Sequence, residues 1–483
     1  MRSRPIAVLV AMGILFSATA CGTRRSEDDL AAAAGAVATP AAAGADGSAI
    51  TAEPEPGADA AAGPTAAGSD AAIAGDTVDA ASPGDAEGEA SPAAGAPDAS
   101  PGGPAPAGAP GAGPAVATAE KKGLVIGSVG SISGLVGAAL KPGVEGLQVW
   151  VKWINSKGGL NGHPVRLIVA DDQGDPARHR SLVQQLVEQQ GVIAFVQNAE
   201  ALTGAGSVSF HQSRRIPVIG SEGSNEYWNQ NSMYFPQMSH GLNFGLATLA
   251  GQATWATGHG YKKIAQLTCT EAASCTAAIG IWKKHAKHFG LEVVYQAQAS
   301  LAKPDYTAEC LNARNAGAEV VSVGMDGNAI SRVAAACARQ GYFPAYTVPS
   351  APASPQHLND PNMKQLGVDT PVAPFGSAPT GEIAEAFAKF LPDTTVVVSH
   401  VEGWTAGKML ERAARDIAEP TSKALLEGLW SIKGEDLGGL SGPQTFTRDK
   451  PPARTTCWFV LEGKNGKFVP YNGGKRTCTD RVP

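Results

Sequence analysis

Hydroxyl, amide and glycine residues recur in this chain wherever an apolar run ends. Ser131 and Ser133 follow Leu124–Val129, the stretch Asn198 to Thr203 follows Val192–Val196, and Ser221, Glu222, Gly223 and Ser224 follow Val218–Ile219. Thr270 and Glu271 stand after Ile264–Thr268, and Met325 and Asp326 after Val320–Val323. Loop hydroxyls and free backbone N–H groups suit a ligand carboxylate, because they hydrogen-bond it without a buried countercharge. They do not make a catalytic set. No Gly-x-Ser-x-Gly, His-Glu-x-x-His or Gly-x-x-x-x-Gly-Lys-Ser/Thr motif occurs, so none of the chemistry those motifs carry is indicated. His285 and His288 lie three apart among Lys283, Lys284 and Lys287 and read as a solvated basic face rather than a metal site. The pattern is that of a binder of small molecules, not an enzyme, with no cofactor and no metal.

The seven cysteines divide into one and six. Cys21 stands alone near the start, and Cys269, Cys275, Cys310, Cys337, Cys457 and Cys478 lie in the body. Six thiols allow 15 pairings, and proximity favours 269–275, 310–337 and 457–478. No Cys-x-x-Cys and no Cys/His cluster is present, so disulfides are preferred to zinc.

The elements that must position these loops alternate. Leu124–Val129 reads as a buried strand, and Leu140, Val144, Leu147, Val151 and Ile154 then form one helical stripe, at spacings of four and three. Trp150 and Trp153 belong to that packing face. Strand Val165–Ala170, helix Pro176–Gln190 and strand Val192–Val196 continue the pattern, and helix Leu202–Ser213 leads to strand Val218–Ile219. Beyond these come helices Leu242–Thr257, Ala272–Phe289, Tyr306–Asn315 and Ala329–Gln340 between strands Ile264–Thr268, Leu291–Gln296, Val320–Val323 and Tyr346–Val348. Strands separated by helices imply parallel sheets covered on both faces. So many units exceed one sheet and imply two α/β lobes, with ligands at the carboxyl ends of strands.

Several runs carry a resemblance. Ile126-Gly-Ser-Val-Gly-Ser-Ile-Ser-Gly134, Gly143-Val-Glu-Gly-Leu-Gln, Asn155-Ser-Lys-Gly-Gly-Leu-Asn-Gly162 and Leu167-Ile-Val-Ala-Asp-Asp172 open the body. Ile216-Pro-Val-Ile-Gly-Ser-Glu-Gly-Ser-Asn225 and Asn315-Ala-Gly-Ala-Glu-Val-Val321 follow in step. In order and spacing they resemble the branched-chain amino-acid (leucine/isoleucine/valine-type) substrate-binding proteins of ABC transporters, over about residues 123 to 470. The resemblance implies two Rossmann-like lobes joined by a three-stranded hinge, the periplasmic-binding-protein type I fold, with the ligand in the cleft. It implies crossovers near Ser239–Gly241, Thr370–Phe375 and Gly439–Gly442. The first lobe is then 121–240 plus 373–440, and the second 241–372 plus 441–483. It also gives Gly223 and Ser224 the ligand's polar end, and makes an ABC permease in the membrane the partner of a monomeric protein. The same fold serves ligand-sensing receptors that signal occupancy to a membrane partner, which is the alternative.

The sequence departs from the amino-acid binders of that family at two points. The loop after the third strand reads Asn198-Ala199-Glu200-Ala201, with its hydroxyl only at Thr203. The segment Thr347 to Pro352, matching the one that supplies an acid for the ligand's ammonium, contains none. A buried ammonium needs an anionic partner, so Glu222, Glu271 or Asp326 must substitute, or the ligand is a carboxylate, amide or aromatic compound.

Charge and composition locate the chain. Residues 22–118 hold no Phe, Trp or Tyr and 14 Asp/Glu against Arg24 and Arg25, so the acidic excess behind the net charge of −6 belongs to this tract. The remainder is near neutral, with 34 Lys+Arg against 30 Asp+Glu, and offers no basic field for nucleic acid. The Ala/Gly/Pro-rich tract has too few large apolar groups to offset the entropy of ordering it. It is expected to be a disordered tether reaching on the order of 55 Å. Before it, Arg2 and Arg4, the apolar run Ile6–Phe16 and Ala18-Thr-Ala-Cys-Gly22 resemble a lipoprotein signal (1–21) ending at Cys21, too short to span a bilayer. The expectation is a lipid-anchored protein on the outer face of a bacterial cell membrane.

Overall fold

The computed structural model describes residues 121–134, 136–221, 223–376 and 380–479. The signal, Cys21, the tether and Glu222 lie outside the described residues.

Two sheets carry the chain. The first has strand order β2-β1-β3-β4-β5, with β1 (Leu124–Gly130), β2 (Val165–Asp171), β3 (Ala194–Asn198), β4 (Val218–Ser221) and β5 (Tyr234–Phe235), all parallel. Parallel strands need crossover helices, so α1 (Gly137–Ser156), α2 (Pro176–Gln190) and α3 (Val208–Arg214) run between them. Asp175 starts α2 by accepting from the N–H groups of Ala177 and Arg178, with Pro176 in the first turn, a favourable pairing of cap and proline. The chain then leaves for α4 (Gly241–Gly258), β6 (Lys263–Cys269), α5 (Ala273–His285), β7 (Glu292–Ala299), α6 (Thr307–Asn315), β8 (Val320–Gly324), α7 (Gly327–Arg339), β9 (Ala345–Pro349), the single turn α8 (Pro355–Leu358) and β10 (Leu366–Thr370). It returns to pack α9 (Gly381–Phe390), α10 (Val398–Ala413) and α11 (Ser422–Trp430) with the first sheet's helices, then ends in β11 (Cys457–Lys464), β12 (Lys467–Pro470) and β13 (Thr477–Cys478).

The second sheet runs β12-β11-β10-β9-β8-β6-β7, with β13 paired to β11. Alternation of strand and helix leads one to expect parallel sheets throughout, and this sheet is mixed. β11 is antiparallel to β10, β12 and β13. The chain reaches β11 from the first sheet's side and not through a strand–helix crossover, so it enters antiparallel to β10, and Asn465 and Gly466, both with positive φ, then turn it into β12 in a tight hairpin. Two helices also differ from the pattern. The chain starts α3 only at Val208, after a 3₁₀ turn at Gly204–Ser207, and α5 ends at His285, where another 3₁₀ turn begins.

The disulfides are Cys269–Cys275, Cys310–Cys337 and Cys457–Cys478, the pairing that proximity favours. Cys310–Cys337 ties α6 to α7 beside β8.

Across the first sheet, α1 and α10 touch backbone to backbone. A side-chain carbon at Gly403 would collide with the carbonyl of Gly143, and one at Gly146 with that of His400. Only glycine permits this approach, and it fixes where the chain returning from the second sheet can lie.

Candidate functional site

A cavity of about 670 Å³ opens among the strand-end loops of both sheets, within the size range of small-molecule sites. From the first sheet's side it is lined by Val136, Ala139 and Leu140 at the start of α1, by Leu202 after β3, and by Ser224 and Glu226 after β4. From the second side come Leu242 and Phe244 of α4, Ile281 and Trp282 of α5, and Met325 and Asp326 after β8. Most of these contacts are hydrocarbon. Gln252, Gln266, Thr268 and Ser322 line it toward the second sheet, and Gln252 is already engaged there by Asp369, Ser322 and Thr347.

Of the twelve residues singled out in the sequence, the structure brings Ser224, Glu271, Met325 and Asp326 to this cavity. Ser131, Asn198 and Thr203 are turned inward instead. Ser131 and Thr203 donate to Asp172 at 2.8 and 2.7 Å, and the His179 Nδ1 lies 2.8 Å from the same carboxylate. Asn198 accepts from the Val129 N–H and donates to Glu200, which also accepts from Tyr227. Burial by itself pushes the Asp172 carboxyl up, but hydrogen bonds from His179, Thr203, Gly174 and Ser131 outweigh it and hold the group below the usual carboxylate range. The cluster is an ionised, fully buried clasp across the ends of β1, β2 and β3.

The remaining sequence candidates lie beside the cavity rather than on it. Ser133 donates to Asp171. Ser221 is held by Gln237, whose amide donates to the Ser221 carbonyl at 2.9 Å. Gly223 has φ +73, a conformation that favours glycine, and its carbonyl accepts from the Gly241 N–H at 2.7 Å. That bond ties the β4 loop to the first residue of α4. Thr270 gives its backbone N–H to Glu271.

The acids lining the cavity are held by neighbouring N–H and O–H groups. Glu226 accepts from the Leu242 N–H at 2.7 Å and from Asn229, a carboxylate at the start of α4, where the helix dipole favours it. Glu271 accepts from Ser300 at 2.7 Å and from the N–H groups of Leu301 and Thr270. Its slight burial raises its pKa and those hydrogen bonds more than reverse this, keeping it ionised. Asp326 caps α7 through Oδ1, while its Oδ2 is buried with no partner.

Sequence reasoning missed most of the lining. Leu140 belongs to the expected helical stripe, and Leu202, Leu242 and Trp282 fall within expected helices, where nothing in the spacing separates a core face from a cavity wall. The Cys269–Cys275 disulfide also forms part of the wall. Among the described residues no group of three His, Cys, Asp or Glu side chains could hold a metal ion, and no helix is long and apolar enough to cross a membrane.

The family model for periplasmic binding proteins matches residues 123–467, and no curated protein matches the chain. Solved structures share the fold. A fatty acid ABC transporter substrate-binding protein from Thermomonospora curvata is 18% identical, with TM-score 0.59, over 74% of this chain and 91% of that one. An ABC transporter solute-binding protein from R. palustris in complex with benzoate is 17% identical, with TM-score 0.60, over 74% and 98%. The branched-chain amino acid transporter substrate-binding protein from Streptococcus pneumoniae, in complex with isoleucine, is 15% identical, with TM-score 0.59, over 74% and 99%. These relatives are solute-binding proteins of ABC transporters and not enzymes, and their family is extracytoplasmic. Two layered α/β bodies, a cavity among their strand ends and a family match over most of the described chain agree: the chain belongs to the periplasmic binding protein family.

Proposed function

We propose that this protein captures a small, largely apolar solute between two lobes and delivers it to an ABC permease. The lobes are 121–240 with 373–440, and 241–372 with 441–483, hinged where the chain passes between the sheets. The observation that carries the reading is the 670 Å³ cavity, walled by loops and helices from both sides. Closure around such a solute makes contacts available only in the closed state, which is what lets a partner distinguish loaded from empty protein. The lipid on Cys21 and the tether of residues 22–118 would keep the body near its permease at the outer face of the membrane.

The mostly apolar lining suits a carboxylate, amide or aromatic compound, and of the acids that line it only Asp326 keeps an unpartnered oxygen that could receive an ammonium. Glu226 and Glu271 already accept two and three hydrogen bonds, and no acid lies between Thr347 and Pro352. Thermal unfolding of the purified protein against amino acids, small carboxylates, amides and aromatic acids tests this. A ligand at 100 times its Kd stabilises by about 2.7 kcal/mol. A shift from one of the last three classes, lost in Ser224→Trp, supports the site, whereas a shift unchanged in that variant places the ligand elsewhere. Turnover of the bound compound would make the protein an enzyme and end the transport reading.

A further inference from the structure

Charge is distributed unevenly along the cavity. The acids lining it, Glu226, Glu271 and Asp326, follow β4, β6 and β8 at the strand-end side. Among the described residues, its cationic group is Lys284, with His285 adjacent at the last turn of α5 as a further N–H donor. Lys283, Lys287 and His288 lie beside them in the chain. His285 is 6% exposed, and its Nδ1 is buried with no hydrogen-bond partner. A buried polar nitrogen left unpaired is costly, and a bound acceptor at this end would relieve that cost. Between the two ends the wall is apolar: Leu140, Leu202, Leu242, Phe244, Ile281 and Trp282.

We infer that the cavity takes a monocarboxylic acid with an extended apolar body, oriented with its carboxylate at Lys284 and His285. Its hydrocarbon lies along Leu242, Ile281 and Trp282 toward the first sheet's Leu140 and Leu202. This rests on the reading that the cavity is the solute site. The three acids repel the carboxylate from the strand-end side, and at the other end the Lys284 charge offsets the negative end of the α5 dipole. The small side chains of Ala277 and Ala278 on α5 leave room for the ligand, whereas at Gly245 of α4 the Ile281 side chain closes the gap between the two helices.

The experiment compares matched pairs by calorimetry on the full body: octanoate against octanamide and octylamine, and 3-phenylpropionate against its amide. The acids are expected to bind about tenfold tighter than the amides, the size of effect a charge-assisted hydrogen bond gives. Lys284→Gln, at an exposed position, should bring the acid down toward the amide without changing the amide itself, and His285→Gln should do the same if it folds. Each methylene added to the straight-chain acids should tighten binding about fourfold until the cavity is filled. Equal affinity for acid and amide, a preference for the amine, or an acid preference unchanged by Lys284→Gln would overturn the orientation while leaving the solute-binding reading intact. Failure of every probe in the series, together with a positive hit on an unrelated polar solute that Ser224→Trp does not disturb, would remove both.

Discussion

Ser239 and Cys457 hold each other twice: the Cys457 N–H donates to the Ser239 hydroxyl at 2.9 Å, and that hydroxyl donates to the Cys457 carbonyl at 3.1 Å. One residue ends the chain's first passage toward the second sheet and the other begins β11 after its last. Both are fully buried or nearly so. A parallel bond joins the other passages, from the Ala373 N–H to the Leu440 carbonyl at 2.7 Å. The passages are thus cross-linked by backbone and hydroxyl hydrogen bonds, within a core that also takes in Met238, Val372, Ala373, Leu440 and Phe446.

Ser239→Ala leaves a buried N–H and a buried carbonyl unpaired at this junction. It should destabilise the body by about 1–3 kcal/mol, read as a lower urea midpoint with unchanged slope. A variant as stable as the parent would show that the pair is dispensable.

Glycine substitutions should separate two kinds of site. Gly403→Ala puts a methyl against the Gly143 carbonyl, and α1 and α10 must move apart to admit it. We expect a loss of roughly 1–3 kcal/mol. Gly280, in α5, meets nothing within 4 Å of an added side-chain carbon, so Gly280→Ala should stabilise by about 0.5–1 kcal/mol. Denaturation of both variants in parallel checks the contrast.

The fold was legible from sequence and the cavity only in part, for a physical reason. Periodicity reports which residues are buried, and Leu242–Thr257 and Pro176–Gln190 form helices within a residue or so of the pattern. Burial does not say whether the neighbour is protein or ligand. Ser131, Asn198 and Thr203 sit at strand ends, where ligands bind, yet their partners are Asp172 and Glu200. Only the packed structure tells a hydroxyl facing inward from one facing the cavity. The mixed second sheet was hidden for a different reason: the strand–helix alternation breaks off before β11, so no crossover in the sequence sets that strand's direction against β10.

Removing disulfides should cost stability in order of loop length. Cys310–Cys337 closes 27 residues and Cys269–Cys275 only 6, so the paired Cys→Ser variants should lose about 3–4 and about 2 kcal/mol respectively on the chain-entropy account. Ligand affinity should reverse that order, because Cys269 and Cys275 line the cavity. Isothermal titration of both variants with one ligand decides this. Equal affinities would mean that the wall keeps its shape without the bridge.

Asp369 makes a pH-dependent contribution that a single substitution can isolate. Its side chain is buried behind Gln252, and burial pushes its carboxyl up to about 7, only partly offset by hydrogen bonds from Gln252 and Thr248. The unfolded-state value is about 3.9, so between roughly pH 4 and 7 the folded protein holds a proton that the unfolded chain releases. The contribution of Asp369 to stability therefore falls as pH rises through this window and levels off above it, by on the order of 4 kcal/mol in all, while buried His211 and His240, with pKa values lowered to about 3 and about 4, act in the opposite sense. Asp369→Asn keeps the shape, removes the charge and should flatten that contribution. The expected result is a difference in urea midpoint between variant and parent that is small near pH 4, grows toward pH 7 in the variant's favour, and then stays constant. A difference independent of pH would mean that Asp369 is ionised in the folded protein throughout, its charge stabilised by groups other than the two that donate to it.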